Sequence, residues 1–259
     1  MARVTFINHA TVLIELNGLR ILTDPIYSFS VSYFLPRLKK PGIPFPKLPP
    51  IDLVAISHDH YDHLNLRTLR RLARAHSPSI LLPRGLGSFG VRTGFEDVRE
   101  LDWWETLEHR GLSITCVPAR HFSGRTPWSR NRSRPSGYVF QAPGSAVYFA
   151  GDTAYSETFK EIGQRFALDI ALLPIGAYKP HAWFKNIHLN PHDALQAFFD
   201  LRARMLIPIH WGTFKISDEP MQEPPEWLMR EARARGVEER VRVLVNGECV
   251  RGERTKCLR

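Results

Sequence analysis

The spacing of apolar residues divides the chain into short segments of two kinds. Residues 3–7, 11–16 and 19–23 are apolar-rich stretches with brief breaks between them, and they predict three strands of a β-meander. Ile51-Asp52-Leu53-Val54-Ala55-Ile56 predicts a buried strand. Cys116-Val117-Pro118, Ala146-Val147-Tyr148-Phe149-Ala150 and Met205-Leu206-Ile207-Pro208-Ile209 are further apolar runs of strand type. Beyond residue 64 the period lengthens. Leu66, Leu69 and Leu72 alternate with Arg67, Arg70, Arg71 and Arg74, which predicts a helix with a solvated basic face. Asn190-Pro191-His192-Asp193 predicts a helix start, with Asn as N-cap, Pro in the first helical position and an acid in the third. Arg230, Arg233 and Arg235 precede Gly236 at the end of another helix, where cations complement the dipole. A meander followed by alternating strands and helices predicts a layered α/β protein. No low-complexity linker or compositional break divides residues 1–259, so the chain reads as one domain.

Polar chemistry concentrates just past the 51–56 strand, in His58-Asp59-His60-Tyr61-Asp62-His63. A solvated turn is more usually built from Gly, Asn, Ser and Lys. Three imidazoles beside two carboxylates at a strand's C-terminal end can converge on one small volume. Imidazole and carboxylate suit Zn²⁺, and mixed nitrogen and oxygen donors also admit manganese or iron. The run therefore predicts a metal site, as half of a two-metal site. In a hydrolase, metal there activates water at neutral pH and polarises a phosphoryl or acyl oxygen.

The six residues match the H-x-H-x-D-H signature of the metallo-β-lactamase superfamily. Further stretches resemble the branch containing N-acyl-phosphatidylethanolamine-hydrolysing phospholipase D. They include Asn8-His9-Ala10-Thr11, Leu22-Thr23-Asp24-Pro25, Leu101-Asp102-Trp103-Trp104-Glu105, Pro118 to Phe122, Gly151-Asp152-Thr153-Ala154-Tyr155, Leu173-Pro174-Ile175-Gly176-Ala177-Tyr178 and Ile209-His210-Trp211-Gly212-Thr213-Phe214. The resemblance implies an αββα four-layer sandwich holding two zinc ions. It implies a first ligand set of His58, His60, His121 and Asp152, and a second of Asp62, His63, Asp152 and His210, with Asp152 shared. Each implied ligand lies just beyond the C-terminal end of a predicted strand, a common place for sites. Asp62 and Asp152 are implied as catalytic. His188 is implied to bind the phosphate or protonate the leaving oxygen, and Tyr178 and Arg125 to contact substrate. His9 and Asp24 are tied to the site by resemblance; Asp24 either partners a metal-bound imidazole or orders its own turn. The chain departs from the branch at Asn8, where Gly is usual, and at Arg134-Pro135, where Leu-Trp is common.

The implied activity is phosphodiester hydrolysis of phospholipase D type on N-acyl-phosphatidylethanolamine-like lipids. A metal-dependent lactonase of the ascorbate-phosphate type and a metal-stabilised, non-catalytic binding protein are the alternatives. The net charge of +9 favours anionic partners. Nucleic acid is disfavoured, because aromatics interleaved with basic residues for base stacking are not evident. Residues 26–50 are aromatic, basic and Pro-rich, which suits a lipid surface, a lid or a dimer contact. Residues 123–136 carry Arg125, Arg130, Arg132 and Arg134 and predict a mobile loop able to clamp phosphate. The branch also implies a homodimer. Three cysteines without metal spacing, Cys116, Cys249 and Cys257, suggest a reducing compartment, with Cys116 as a core filler. With no signal-peptide pattern and no long apolar run, the expected location is cytoplasmic, peripheral to the inner membrane surface.

Overall fold

Residues 1–31 and 35–252 are described by a computed structural model. Ser32, Tyr33 and Phe34 of the 26–50 segment, and Cys257, lie outside the described residues. The opening meander forms as expected: β1 (Arg3–Asn8), β2 (Thr11–Leu16) and β3 (Leu19–Thr23) are antiparallel neighbours. To β3 are added, all parallel, β4 (Leu53–Ala55), β5 (Ser79–Pro83) and β6 (Val98–Leu101). Helix α1 (Leu66–His76) crosses from β4 to β5, and α2 (Gly87–Thr93) from β5 to β6.

The second sheet repeats this plan. After the edge strand β7 (Thr106–His109), β8 (Leu112–Pro118), β9 (Ser136–Ala142) and β10 (Ser145–Phe149) are antiparallel. Then β11 (Ile170–Pro174) and β12 (Met205–Ile209) continue in parallel. Crossovers use α3 (Thr158–Arg165), the short α4 (His181–Phe184) and α5 (Pro191–Asp200). Helix α6 (Glu223–Ala234) follows β12, and β13 (Cys249–Arg251) returns to pair with β1. Both sheets thus run through three antiparallel strands into parallel ones, three in the first sheet and two in the second, an internal duplication that the sequence itself does not display.

Side-chain period explains the layers. Leu53 and Ala55 of β4 face the second sheet, while Val54 faces α1, where Leu69 and Leu72 cover it. On β12, Ile207 and Ile209 face the first sheet, and Leu206 faces Phe198 of α5 and Leu228 of α6. Strands covered on both faces become continuous apolar runs, which is why they were visible as such. Between the sheets, Phe6, Ile14 and Leu81 meet Tyr138, Phe140 and Phe149 in one buried cluster. A Phe in such a place contributes about 3–5 kcal/mol relative to Ala. The result is four layers, helix, sheet, sheet, helix, the expected αββα sandwich.

Candidate metal centre

The rim of the sandwich brings the strand ends together. Leaving β4, Ile56 N donates to Leu81 O (2.9 Å), and Ser57 O accepts from Ser136 N (3.0 Å) on the other sheet. His58 to His63 then turn across the rim before Asn65 caps α1 by accepting from Thr68 N. His121, Asp152 and His210 arrive from just past β8, β10 and β12.

Three ring nitrogens meet first. His58 Nε2 lies 2.9 Å from His60 Nδ1, which lies 3.2 Å from His121 Nε2. A second group joins Asp62, His63, His210 and His9, with His9 Nε2 3.0 Å from Asp62 Oδ2. One oxygen connects the groups. Asp152 Oδ2 is 3.2 Å from both His63 Nε2 and His210 Nε2, and 3.9 Å from His58 Nε2, His121 Nε2 and His188 Nδ1. All seven expected metal ligands therefore converge, and His188 stands beside them. His9 is drawn in further than its position near a strand end suggests.

Each ring is aimed by its other nitrogen. Asp24 Oδ2 accepts from His63 Nδ1 (2.6 Å) and from Ser57 Oγ (2.6 Å), while Oδ1 accepts from Ser57 N (2.7 Å). Ser57 Oγ also lies 2.8 Å from His58 Nδ1, and His121 Nδ1 lies 2.7 Å from Ile187 O. Of the two roles open to Asp24, the structure shows the imidazole partner. Ser57 is a functional contact that the sequence did not signal, since an isolated serine before a motif has no pattern of its own.

The loops are held tightly. His9, Asp24 and His210 all adopt positive φ (50°, 33° and 59°), a costly backbone kept by its surroundings. His210 N donates to His9 O (2.9 Å), and His9 N to Thr213 Oγ1 (3.0 Å). Gly176 allows a close approach, since a Cβ there would stand 2.2 Å from His210 O. Its neighbour Ala177 is pinned by donating to Glu219 Oε1 (2.6 Å).

The electrostatics divide the two groups. Burial pushes His58, His60 and His188 below the usual imidazole value, and His121 down to about 4, so these rings are neutral donors. Burial also lowers His9, to about 3, with the nearby His210 adding to it. Burial opposes charge at His63 and His210 too, but Asp152 and Asp62 outweigh it, raising His63 and lifting His210 to about 9. The same pairs overcome burial at Asp62 and Asp152 and hold both carboxyls well below the ordinary range. Asp152 Oδ1, His60 Nε2, His63 Nε2, His188 Nδ1 and both nitrogens of His210 are buried without a hydrogen-bond partner. Two carboxylates, orphaned imidazole nitrogens and a need for positive charge fit one or more metal cations.

Other expected contacts sit elsewhere. Arg125 Nη1 donates to Asp59 O and Leu64 O (2.8 Å each), and its guanidinium lies 3.9 Å from the centre of the Tyr61 ring. It braces the motif loop. Asp59, given no role from the sequence, accepts from Gly124 N (2.7 Å) and ties down the following loop. Arg134 pairs with Asp102 (3.1 Å) and packs on Trp103, so the 123–136 segment is anchored where a mobile clamp was expected. Tyr178 is buried, with its hydroxyl donating to Glu223 Oε1 (3.0 Å) and its ring against Trp227, away from the converging groups. The described part of 26–50 packs back on the sandwich: Tyr27 N donates to Thr68 Oγ1, Leu38 N to Thr213 O and Gly42 N to Ile7 O (each 2.9 Å). Cys116 is fully buried, and burial pushes its thiol up to about 12, as suits a core filler. No helix among the described residues is long and apolar enough to cross a membrane.

Residues 19–211 match the family model described as Beta-lactamase superfamily domain. The chain is 37% identical over 235 residues to the mitochondrial N-acyl-phosphatidylethanolamine-hydrolyzing phospholipase D of Saccharomyces cerevisiae, covering 86% of this chain and 50% of that protein. It is 30% identical over 248 residues to a UPF0173 metal-dependent hydrolase of Methanopyrus kandleri, covering 95% and 98%. The structure superposes on Igni18, a metallo hydrolase from Ignicoccus hospitalis, with TM-score 0.74 at 23% identity, covering 96% and 97%. The chain spans half the length of the yeast relative and 63% of several others. With its sandwich and its histidine and aspartate centre, the chain belongs to the beta-lactamase superfamily domain family.

Proposed function

We propose that this protein is a binuclear zinc phosphodiesterase of phospholipase D type, acting on N-acyl-phosphatidylethanolamine-like lipids. One observation carries the two-metal part: a single carboxylate oxygen, Asp152 Oδ2, faces nitrogens of both histidine groups within 3.2–3.9 Å. His58, His60 and His121 with Asp152 would hold one ion. Asp62, His63 and His210 with Asp152 would hold the other, and His9 orients Asp62. When bound, the ions supply an activated water and neutralise charge developing on the phosphoryl oxygens. The substrate part rests on the likeness to the yeast enzyme and on the nearby basic surface.

The chain's own groups act around that chemistry. Asp62, kept ionised despite burial by His63, His210 and His9, whose ring nitrogens lie 3.0–3.5 Å from its Oδ2, accepts a hydrogen bond from the attacking water and orients it. The water oxygen bonds to phosphorus as the bond from phosphorus to the ethanolamine oxygen breaks, and that leaving oxygen takes up the proton that the water gives up. His188 is neutral because of burial, and its unpartnered Nδ1 places a hydrogen bond on a phosphoryl oxygen. Exposed Phe29 and Leu38 of the 26–50 segment provide apolar contact with a lipid surface.

Mass spectrometry of products from N-acyl-phosphatidylethanolamine in mixed micelles tests this. Phosphatidic acid and an N-acylethanolamine are expected from zinc-loaded protein and from none of a His58→Ala control. Intact lipid with fully metallated protein overturns the substrate assignment and directs attention to phosphorylated lactones.

A further inference from the structure

Beside the metal centre a groove of about 730 Å³ runs between residues 27–31 and the first turns of α1. Four arginines line it: Arg67, Arg70 and Arg71 from α1, and Arg125 from the opposite wall. Among the described residues none of the four has a carboxylate partner, and no acidic residue lines the groove. Helix α1 holds four arginines and no acid at all, with Arg67 in its first turn. Cations near a helix N-terminus oppose the helix dipole, so this placement works against helix stability. Arg71 stacks on the Phe45 ring (3.8 Å), but Arg67 and Arg70 need another explanation than the solvated face suggested by their period. Tyr27 supplies a second and independent feature. It lines the groove, and its hydroxyl is buried without a hydrogen-bond partner. Burial raises its pKa further, which keeps the hydroxyl a donor. The groove also touches the catalytic loop. Asn65 lies two residues past His63, and Arg125 reaches from the groove to Asp59 O and Leu64 O.

The geometry points to an anion subsite: Arg67, Arg70 and Arg71, with the Tyr27 hydroxyl, bind a phosphate group separate from the one presented to the metal centre. Arginine suits this role because its planar donors match phosphate oxygens in pairs. Arg125 bounds the subsite while its Nη1 remains committed to the loop. Phe29, 78% exposed at the groove mouth, leaves the apolar part of an amphiphile a surface to rest on. The phosphate is either a headgroup in an anionic bilayer or a soluble ester. The assignment goes beyond the proposed reaction and does not need it.

Binding is measured on the metal-loaded full chain, without turnover. The probes are vesicles of phosphatidylcholine with and without phosphatidylglycerol, followed by sedimentation, and glycerol 3-phosphate, followed by calorimetry. The groove variant is Arg67→Gln/Arg70→Gln/Arg71→Gln. The charge-matched control is Arg202→Gln/Arg230→Gln/Arg233→Gln, all exposed positions elsewhere. The groove variant is expected to lose about 100-fold in affinity, at roughly fivefold per arginine. The control loses less than about threefold. Loss confined to phosphatidylglycerol vesicles identifies a bilayer headgroup, and loss for glycerol 3-phosphate identifies a soluble ester. Equal losses in the two variants, or no binding of either probe by the wild type, overturns the subsite. Failure of lipid hydrolysis leaves this result untouched, because no product is measured.

Discussion

Asp24 and Asp152 hold matching places in the two halves of the sandwich, one just past β3 and the other just past β10, and their surroundings are opposite. Asp24 is saturated. It accepts from Ser57 N, Ser57 Oγ and His63 Nδ1, all at 2.6–2.7 Å. Asp152 has one oxygen with no hydrogen-bond partner and the other ringed by five imidazole nitrogens. A buried carboxylate whose bonds are complete is a scaffold for its neighbours. A buried carboxylate left incomplete among orphaned nitrogens is where a cation belongs. The duplicated fold used one position twice, once for a carboxylate with its bonds complete and once for a carboxylate left open to a cation.

The largest effect that could break this division comes from exchanging the side chains singly for their amides. Asp152→Asn should lower turnover by at least about 1,000-fold, a typical scale for losing a main electrostatic stabiliser, and added zinc should not restore it. Asp24→Asn should weaken metal binding by about 10–100-fold while keeping activity at saturating zinc. It should also cost about 1–3 kcal/mol, because a donor to the lost carboxylate oxygen is left unpaired. Elemental analysis, thermal unfolding and a zinc titration of activity separate the two. Rescue of both variants by zinc would erase the distinction between support and ligand.

Gly151→Ala tests the contact between the copies. Its φ of 62° is strained for alanine, and the new Cβ would stand 2.4 Å from Ser57 Cβ, driving the Asp152 loop off the Asp24 network. A loss of about 1–3 kcal/mol, or more, is expected in chemical denaturation, together with reduced metal content.

Protons sharpen the comparison next. His210, raised to about 9, and His63, also raised, carry protons at neutral pH in the metal-free protein. Ligand nitrogens must be neutral, so metal binding at pH 7 expels those protons. Apparent affinity should therefore climb with pH and level off near 9. Calorimetry in buffers of different ionisation heats should count at least one proton released per protein. No proton release would show that this side of the centre binds no metal.

Ser57→Ala gives the smallest change. It removes one hydroxyl shared by Asp24 and His58, at a cost of about 1 kcal/mol and up to about tenfold in zinc affinity.

Much of this was legible in the residues. β2, β3 and β12 stand where their apolar-rich runs begin and end, and β12, buried on both faces, admits nothing polar. The Asn190 cap formed as expected, accepting from Asp193 N, because capping is a local interaction. The residues that converge at the rim were visible through their motifs. What stayed hidden depends on distant chain segments. Arg125 reads as a phosphate clamp until the 58–64 loop presents two carbonyls to it. Tyr178 reads as a substrate contact until Glu223 of α6 takes its hydroxyl. β13 pairs with β1 from the far end of the chain, and three residues of ordinary composition carry no sign of that.

The hydrogen bond from His9 N to Thr213 Oγ1 joins residues 204 positions apart. His9 and His210 reach the centre together, one at the end of the first strand and the other after the twelfth. No partial chain ending before β12 contains the site, and contacts of such separation form slowly because a long loop must close first. Metal capture at the second group, which needs His210, would therefore be a late step, available only to a chain whose two sheets have already joined. Bound metal then stabilises that joined state over every earlier one. During synthesis and refolding, only a cation held by His210 would mark completeness, since His58, His60, His121 and Asp152 all precede β12.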